Sequence, residues 1–429
     1  MTSIVSSSSA MPVNAENKIE TTKFGVDFVL EHMRRVSGNA DLRAENLDGI
    51  GVVDITGGSA FFARVLRVSF QWNDSQIEPK SVVLKIPTGI PDDLFGPDGF
   101  PEFLSDLVPR VKTIASTVQS EEETKKIEDS DHVYLAIAHT REVQFYKDFA
   151  NRANGLRLPV FYYGFEYSRS HDRGVLIMED LSRFSTTVNI LPGLNNAQIE
   201  ALIDELARLA TLSWSDRSWV APMIENPAED QEEFLQQMRN ISLELQKLDA
   251  RFESLLEKMA PLYTSGHMKM SSYKEDKYGF PAALVHGDLW TPNVLWRLDE
   301  NGEVSSELGA VIDWQSVHAG NPLEDFGRLL VLNTTSAYRR ANHDRLLQLY
   351  IAKLREYGDG ESPIHERNIE QAYKAAMPFV TMFIGFGVPM YCNMPSVVRQ
   401  DPEHKGADTV EILDRTLCFF EEVIEAYGL

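Results

Sequence analysis

Cysteine is nearly missing from this chain: Cys392 and Cys418 are its only two in 429 residues. Two thiols cannot build a disulfide framework, so the core must carry the fold, and a reducing, cytoplasmic setting is the default expectation. Basic charge is also scarce. Lys and Arg total 41 against 64 Asp and Glu, a formal net charge of −23. That balance argues against nucleic acid, whose binding needs a basic face. It is compatible with a cationic small molecule, although an acidic excess mostly reports solubility. Long apolar runs are missing too. Residues 1–20 are rich in Ser, lack the apolar run of a secretion signal and read as a disordered tail. The most apolar window, Pro378 to Cys392, is too short to span a bilayer and contains Gly385 and Gly387, so it reads as a buried helix with a break. No internal repeat and no obligate protein partner is implied.

What is present is enough chain for two lobes and a sizeable core, with an ordinary 43% of hydrophobic residues. A first lobe is expected over residues 21–180. Val52–Thr56 and Arg64–Phe70 read as strands around a Gly57-Gly58-Ser59 turn, and Ser81–Ile86 reads as a third strand stopped by Pro87. Residues 88–130 read as a partly ordered insertion with a mobile acidic stretch at Ser120–Asp131. A helix over Val133–Asn151 and a strand pair, Val160–Phe165 and Val175–Met178, complete the lobe. The second lobe, 181–429, is expected to be mainly helical. Ile199, Leu202, Ile203, Leu206, Leu209 and Ala210 recur at helical spacing, 228–259 is a long charged helical stretch, and Thr409–Tyr427 is the last helix.

The chemistry concentrates in His286-Gly287-Asp288-Leu289-Trp290-Thr291-Pro292-Asn293, followed after about twenty residues by Val311-Ile312-Asp313-Trp314. Phosphoryl transfer from ATP needs one carboxylate to accept a hydroxyl proton and oxygen ligands for magnesium. Asp288 and Asn293 lie at the two ends of one short loop. The apolar run Ala310-Val311-Ile312 reads as a strand delivering Asp313 to the same point. Asp288 is therefore the candidate base, and Asn293 and Asp313 are the candidate Mg2+ ligands. Singly, each residue has an ordinary reading as a helix cap or turn residue. Their joint order and spacing do not.

These strings, with the longer "HGDLWTPNVLW" and "IDWQSVHAGNPLEDFGRLL", resemble the aminoglycoside phosphotransferase and choline kinase group. Within it they look most like the CHK-kinase-like (ecdysteroid-kinase-like) proteins of the nematode branch. The resemblance covers roughly residues 50–420. It implies an α+β, two-lobe protein-kinase-like fold, with a small β-rich N-lobe that binds nucleotide and a larger, mainly helical C-lobe that carries the catalytic loop and acceptor pocket. It also implies ATP and Mg2+ as cofactors and a small-molecule hydroxyl as acceptor: a steroid-like, choline-like or xenobiotic alcohol. His286 would brace the loop, and Asp325 would brace it from the following helix. Gly287 stands where protein kinases have Arg, which argues by analogy against a protein substrate and an activation-loop switch.

Lys85 ends a strand, as the phosphate-contacting Lys of kinases does, and Glu142 is its expected partner on the helix that follows. A solvated strand Lys and a solvated helix Glu are the plainer readings. Gly57, Gly58 and Ser59 form a weak phosphate loop without a full glycine motif, nearly as well read as a hairpin turn. Met178, Glu179 and Asp180 look like the hinge whose backbone binds the adenine edge, with their side chains uninvolved. Trp290 and Trp314 flank the site and read as packing residues, although either could border the acceptor pocket. The segment Phe379–Met394 is either core or the wall of an acceptor pocket. Two rival functions stand beside the small-molecule kinase: a nucleotide-binding pseudokinase acting as a regulator or scaffold, and an aminoglycoside-type resistance enzyme.

Overall fold

The computed structural model describes residues 18–19, 22–56, 63–88, 136–152, 155–167, 174–223, 231–267 and 280–429. They fall into two compact units. One lies within Met1–Pro91, Gln119–Asn151 and Pro159–Arg183, and the other within Asp92–Val118, Arg152–Leu158 and Phe184–Leu429. The expected insertion and its acidic stretch lie outside the described residues except at Thr88, as do Gly57, Gly58, Ser59 and residues 1–17.

The first unit is built on a five-stranded antiparallel sheet. Its strands are β1 (Leu47–Asp54), β2 (Ala63–Trp72), β3 (Ser81–Pro87), β4 (Phe161–Phe165) and β5 (Val175–Glu179), in the order β1-β2-β3-β5-β4. β1 begins five residues before the expected Val52. Leu47-Asp48-Gly49-Ile50-Gly51 carries little β-branched signal, and it becomes strand because it pairs with β2 up to Trp72. Alternation does the sorting. Leu66, Val68, Val82, Leu84, Val175 and Ile177 turn to one face and pack with Val29, Leu30 and Met33 of the helix Val26–Ser37. Ile19, inside the stretch expected as a tail, is fully buried in the same cluster, and Lys18 bridges to Gly25. Residues 136–149 are helical.

The second unit is mainly helical, with two small antiparallel sheets. β6 (Ser185–Thr186), β8 (Val294–Leu298) and β9 (Val304–Val311) form one; β7 (Ala283–Val285) and β10 (His318–Gly320) form the other. The helix Asn196–Ser215 starts on a capping box made by Asn195 and Gln198. The charged stretch 228–259 is helical in its described part, as three pieces, Gln231–Ser242, Leu245–Leu248 and Phe252–Met259. Asp249 ends the middle piece by accepting the N–H of Arg251 at 2.9 Å, a local bond that competes with helix continuation.

The expected break in the apolar window is corrected by the structure. All of the window but its last residue, Cys392, lies inside one helix, Glu366–Tyr391, despite Pro378 and Pro389. Pro378 cannot donate to the carbonyl of Lys374, and the Tyr427 hydroxyl donates to that oxygen instead, at 2.8 Å. Gly385 serves close approach, because a Cβ there would sit 2.9 Å from the Tyr263 hydroxyl and 3.0 Å from Ser242 Cβ. Among the described residues no helix is long and apolar enough to cross a membrane.

Candidate active site

In the first unit, strand alternation turns Lys85 away from the face that buries Leu84, and its ammonium meets Glu142. Lys85 Nζ lies 2.7 Å from Glu142 Oε2, and both side chains are buried. Neither is the solvated residue of the plainer reading. Each buried charge offsets the other, which is what makes burying either one tolerable. Nearby, burial and the Lys85 charge push His139 down to about 4, so its ring is neutral, 2.9 Å from the carbonyl oxygen of Phe165.

Met178 sits in β5 opposite Val83. The Glu179 N–H donates to the Val160 carbonyl at 2.8 Å, and its carboxylate accepts the Val160 N–H at 3.0 Å. The Asp180 side chain accepts from the Ser81 hydroxyl at 2.7 Å and pairs with Arg67 at 2.9 Å. Burial pushes its carboxyl up, but bonds from Ser182 and Ser81 and the Arg67 charge hold it below the usual range.

In the second unit, the loop between β7 and β8 carries Asp288 and Asn293, and strand register brings Asp313 beside them. β8 pairs with β9 with Val294 opposite Val311, and one step further Ile312 donates its N–H to the Asn293 carbonyl at 2.9 Å. The roughly twenty-residue spacing is thus a hairpin. Asp313 follows in a left-handed conformation, φ +66°, which a short polar side chain tolerates better than most.

The Asn293 amide donates to both the backbone carbonyl of Asp288, at 2.9 Å, and its Oδ2, at 3.2 Å. With Nδ2 so engaged, the amide oxygen is the part left to offer a cation. An amide oxygen with a nearby carboxylate is a donor set that fits magnesium, a hard ion that takes few protein ligands. Burial pushes the Asp288 carboxyl up, the Arg328 charge pulls it down, and Asp313 pushes it up again.

The loop is braced throughout. His286 is fully buried. Its Nδ1 accepts the Asp288 N–H at 3.1 Å, so Nε2 carries the proton and donates to the Ile312 carbonyl at 3.0 Å. Gly287 has φ +81°, and a Cβ there would lie 2.5 Å from the Ser316 carbonyl oxygen, so only glycine fits. The helix Leu323–Asn333 grips the loop with three side chains. Asp325 accepts the N–H groups of His286, at 2.6 Å, and Gly287, at 2.9 Å; Asn333 Oδ1 accepts that of Thr291, at 2.9 Å; and Arg328 donates to Asp288 Oδ1.

Sequence reading missed Arg328 and Asn333. The available signal was polar residues inside a helix that is otherwise apolar all round, and all eleven of its residues are buried. Trp290 and Trp314 are buried, and Trp290 stacks on Tyr391 with centroids 4.9 Å apart. Most of the Phe379–Met394 segment is core: Met382, Met390, Tyr391 and Met394 are buried, and Phe379, Phe383 and Phe386 pack against Leu235, Met238 and Tyr263. Phe379 and Phe383 also border a cavity of about 10 Å³ beside Gly287 and Arg328, water-sized and too small for an organic alcohol.

Comparison with known proteins places this arrangement in a family. The model of the DUF1679 family, described as "Uncharacterized oxidoreductase dhs-27", matches residues 48–428. The chain belongs to the DUF1679 family. It is 26% identical over 326 residues to "Uncharacterized kinase-like protein D1044.1" of Caenorhabditis elegans, covering 74% of this chain and 82% of that one. It is 23% identical over 331 residues to "Uncharacterized oxidoreductase dhs-27" of the same organism, covering 73% of this chain but only 36% of that protein. Among solved structures, a choline kinase from Cryptosporidium parvum is similar at 12% identity and a TM-score of 0.47, covering 90% of this chain and 93% of the other. The family and the kinase-like relative agree with the CHK-kinase-like resemblance of the motifs.

Proposed function

We propose that this chain is an ATP- and Mg2+-dependent phosphotransferase that moves the γ-phosphoryl group to a hydroxyl of a small molecule. The observation that carries the reading is the Asn293 amide, bonded through Nδ2 to Asp288 while the Asn293 backbone is bonded to Ile312, the residue before Asp313. One carboxylate for the acceptor and an amide–carboxylate pair for a metal thus belong to one hydrogen-bonded loop.

As the hydroxyl oxygen bonds to the γ-phosphorus and the bond to the β-phosphate oxygen breaks, Asp288 takes up the hydroxyl proton. Asn293 and Asp313 would hold magnesium, which when bound offsets the negative charge of the phosphates. Lys85, steadied by Glu142, is the ammonium offered to the nucleotide phosphates, with Gly57, Gly58 and Ser59 as the further phosphate contact. The backbone at Met178, Glu179 and Asp180 is the proposed adenine contact. Steroid-like, choline-like and xenobiotic alcohols are the acceptor classes in view.

Every strand pairing among the described residues is antiparallel, whereas dinucleotide-binding folds are built on parallel strands. The test is a transfer assay with γ-labelled ATP against a pooled metabolite extract, with products identified by mass spectrometry. A labelled product that disappears in Asp288→Asn supports the proposal. Mg-ATP binding with no labelled product in any pool supports the scaffold reading and sinks the enzyme.

A further inference from the structure

We propose that Arg328 is a positioning residue that holds the Asp288 carboxylate in its working orientation, an inference that rests on Asp288 being the group that meets the acceptor hydroxyl.

The geometry is one-sided. Arg328 lies one helical turn after Asp325, on the same side of the helix Leu323–Asn333. Asp325 takes the loop's backbone N–H groups, and Arg328 takes the side chain of the next residue, donating from Nη2 to Asp288 Oδ1. Asn293 Nδ2 takes the other carboxylate oxygen at 3.2 Å. A carboxylate held at both oxygens by two different elements cannot rotate about its last bond. The guanidinium is itself fixed: it lies 5.3 Å from the ring centre of Phe383 and donates to the Tyr391 hydroxyl at 3.4 Å.

A structural arginine in the same unit looks different. Arg415 is equally buried and spends its donors on the carbonyls of Ile190, Leu332 and Pro192 and on Glu411, tying four places together. Arg328 takes no backbone carbonyl in any hydrogen bond among the described residues. Its Nε and Nη1 have no hydrogen-bond partner among those residues. Burying a guanidinium is costly, and a residue that only braced the fold would be expected to use more of its donors. What Arg328 does engage is the carboxylate of the candidate base.

The test compares wild type with Arg328→Met and Arg328→Lys in three measurements on the full chain: transfer of label from γ-labelled ATP, Mg-ATP affinity by calorimetric titration, and a crystal structure of each variant. Positioning predicts that Arg328→Met loses transfer on the order of 100-fold, the scale of a misplaced reacting group. Its Mg-ATP affinity should stay within about twofold, since only the acceptor side is disturbed. In its crystal structure the Asp288 carboxylate should have swung off Asn293. Arg328→Lys keeps the charge without the planar fork, so it should fold and restore roughly a tenth of wild-type transfer.

Wild-type transfer in either variant overturns the proposal. So does a crystal structure of Arg328→Met in which Asp288 keeps its contact with Asn293. Parallel loss of transfer, nucleotide affinity and melting temperature, unrelieved by Lys, would make Arg328 a brace instead. If Arg328→Met fails to fold, the rate and structure of Arg328→Lys decide. If wild type itself labels nothing, the phosphotransferase reading falls, while the crystallographic comparison still decides whether Arg328 holds Asp288.

Discussion

Lys85 Nζ and Glu142 Oε2 are 2.7 Å apart, with 8% and 1% of their side chains exposed, and they form a buried ion pair in the first unit. Removing either partner takes the neighbouring opposite charge away from the other. Lys85→Met and Glu142→Ala should each destabilise the fold by about 3–5 kcal/mol, and the double variant should cost clearly less than their sum. Both single variants should also weaken Mg-ATP binding. Thermal melts and nucleotide titrations of the four-member cycle check this, and additive effects would mean the two do not act as a pair.

Asp288→Asn keeps the shape of the side chain and removes its charge. Transfer should fall on the order of 100-fold or more, the usual scale for a general base, with Mg-ATP affinity nearly unchanged. Turnover close to wild type would remove Asp288 from the catalytic role.

Asp313→Asn should do the reverse and weaken Mg-ATP binding directly, because a charged ligand becomes neutral. Asn293→Ala should act in the same direction but less strongly, and it should also free the Asp288 carboxylate. Titration over a range of magnesium concentrations is the measurement. Unaltered metal dependence in Asp313→Asn is the outcome that would exclude it as a ligand.

Glu205 sets a pH dependence of stability. It lies on the buried face of the helix Asn196–Ser215 and accepts the Arg157 N–H at 2.6 Å. Burial pushes its carboxyl up from 4.5 to about 7. Between those values the folded chain keeps a proton that the unfolded chain has released. The stability it contributes is therefore complete below about pH 4.5 and lost as pH rises through 7. Glu205→Gln is neutral at every pH, so it should melt several degrees above wild type at pH 8 and converge with it near pH 5, roughly the scale of a shift of this size. Equal differences at both pH values would contradict the assignment.

Gly287→Ala tests the loop itself. The new methyl would meet the Ser316 carbonyl on a backbone with φ +81°. A cost of about 1–3 kcal/mol and a marked loss of transfer are expected, since Asp288 is the next residue. A stable, fully active Ala variant would show that the loop is looser than its contacts indicate.

Much of the candidate site is legible in the sequence, because it is local. Asp288 and Asn293 are five residues apart, and a hairpin accounts for the spacing from Asn293 to Asp313. Alternation along Ser81–Pro87 separates Lys85 from Leu84, and the recurring apolar residues of 196–215 announce a helix. These patterns obey periods of 2 and 3.6 that a linear sequence carries intact.

Tertiary structure alone decided the rest. Arg328 meets Asp288 across 40 residues and Tyr391 across 63, and nothing in "GRLL" marks which face of a fully buried helix looks at the loop. Gly385 reads as a helix breaker by propensity, yet it lies within a continuous helix, where Tyr263 and Ser242 come too close for a Cβ. The stretch 378–391 stays helical through Pro378, and the Tyr427 hydroxyl, far along the chain, bonds the carbonyl that Pro378 leaves open. Propensity is worth about 1 kcal/mol per residue, whereas a close-packed interior is worth several per side chain, so the partners a residue meets in space override the preference it carries in sequence.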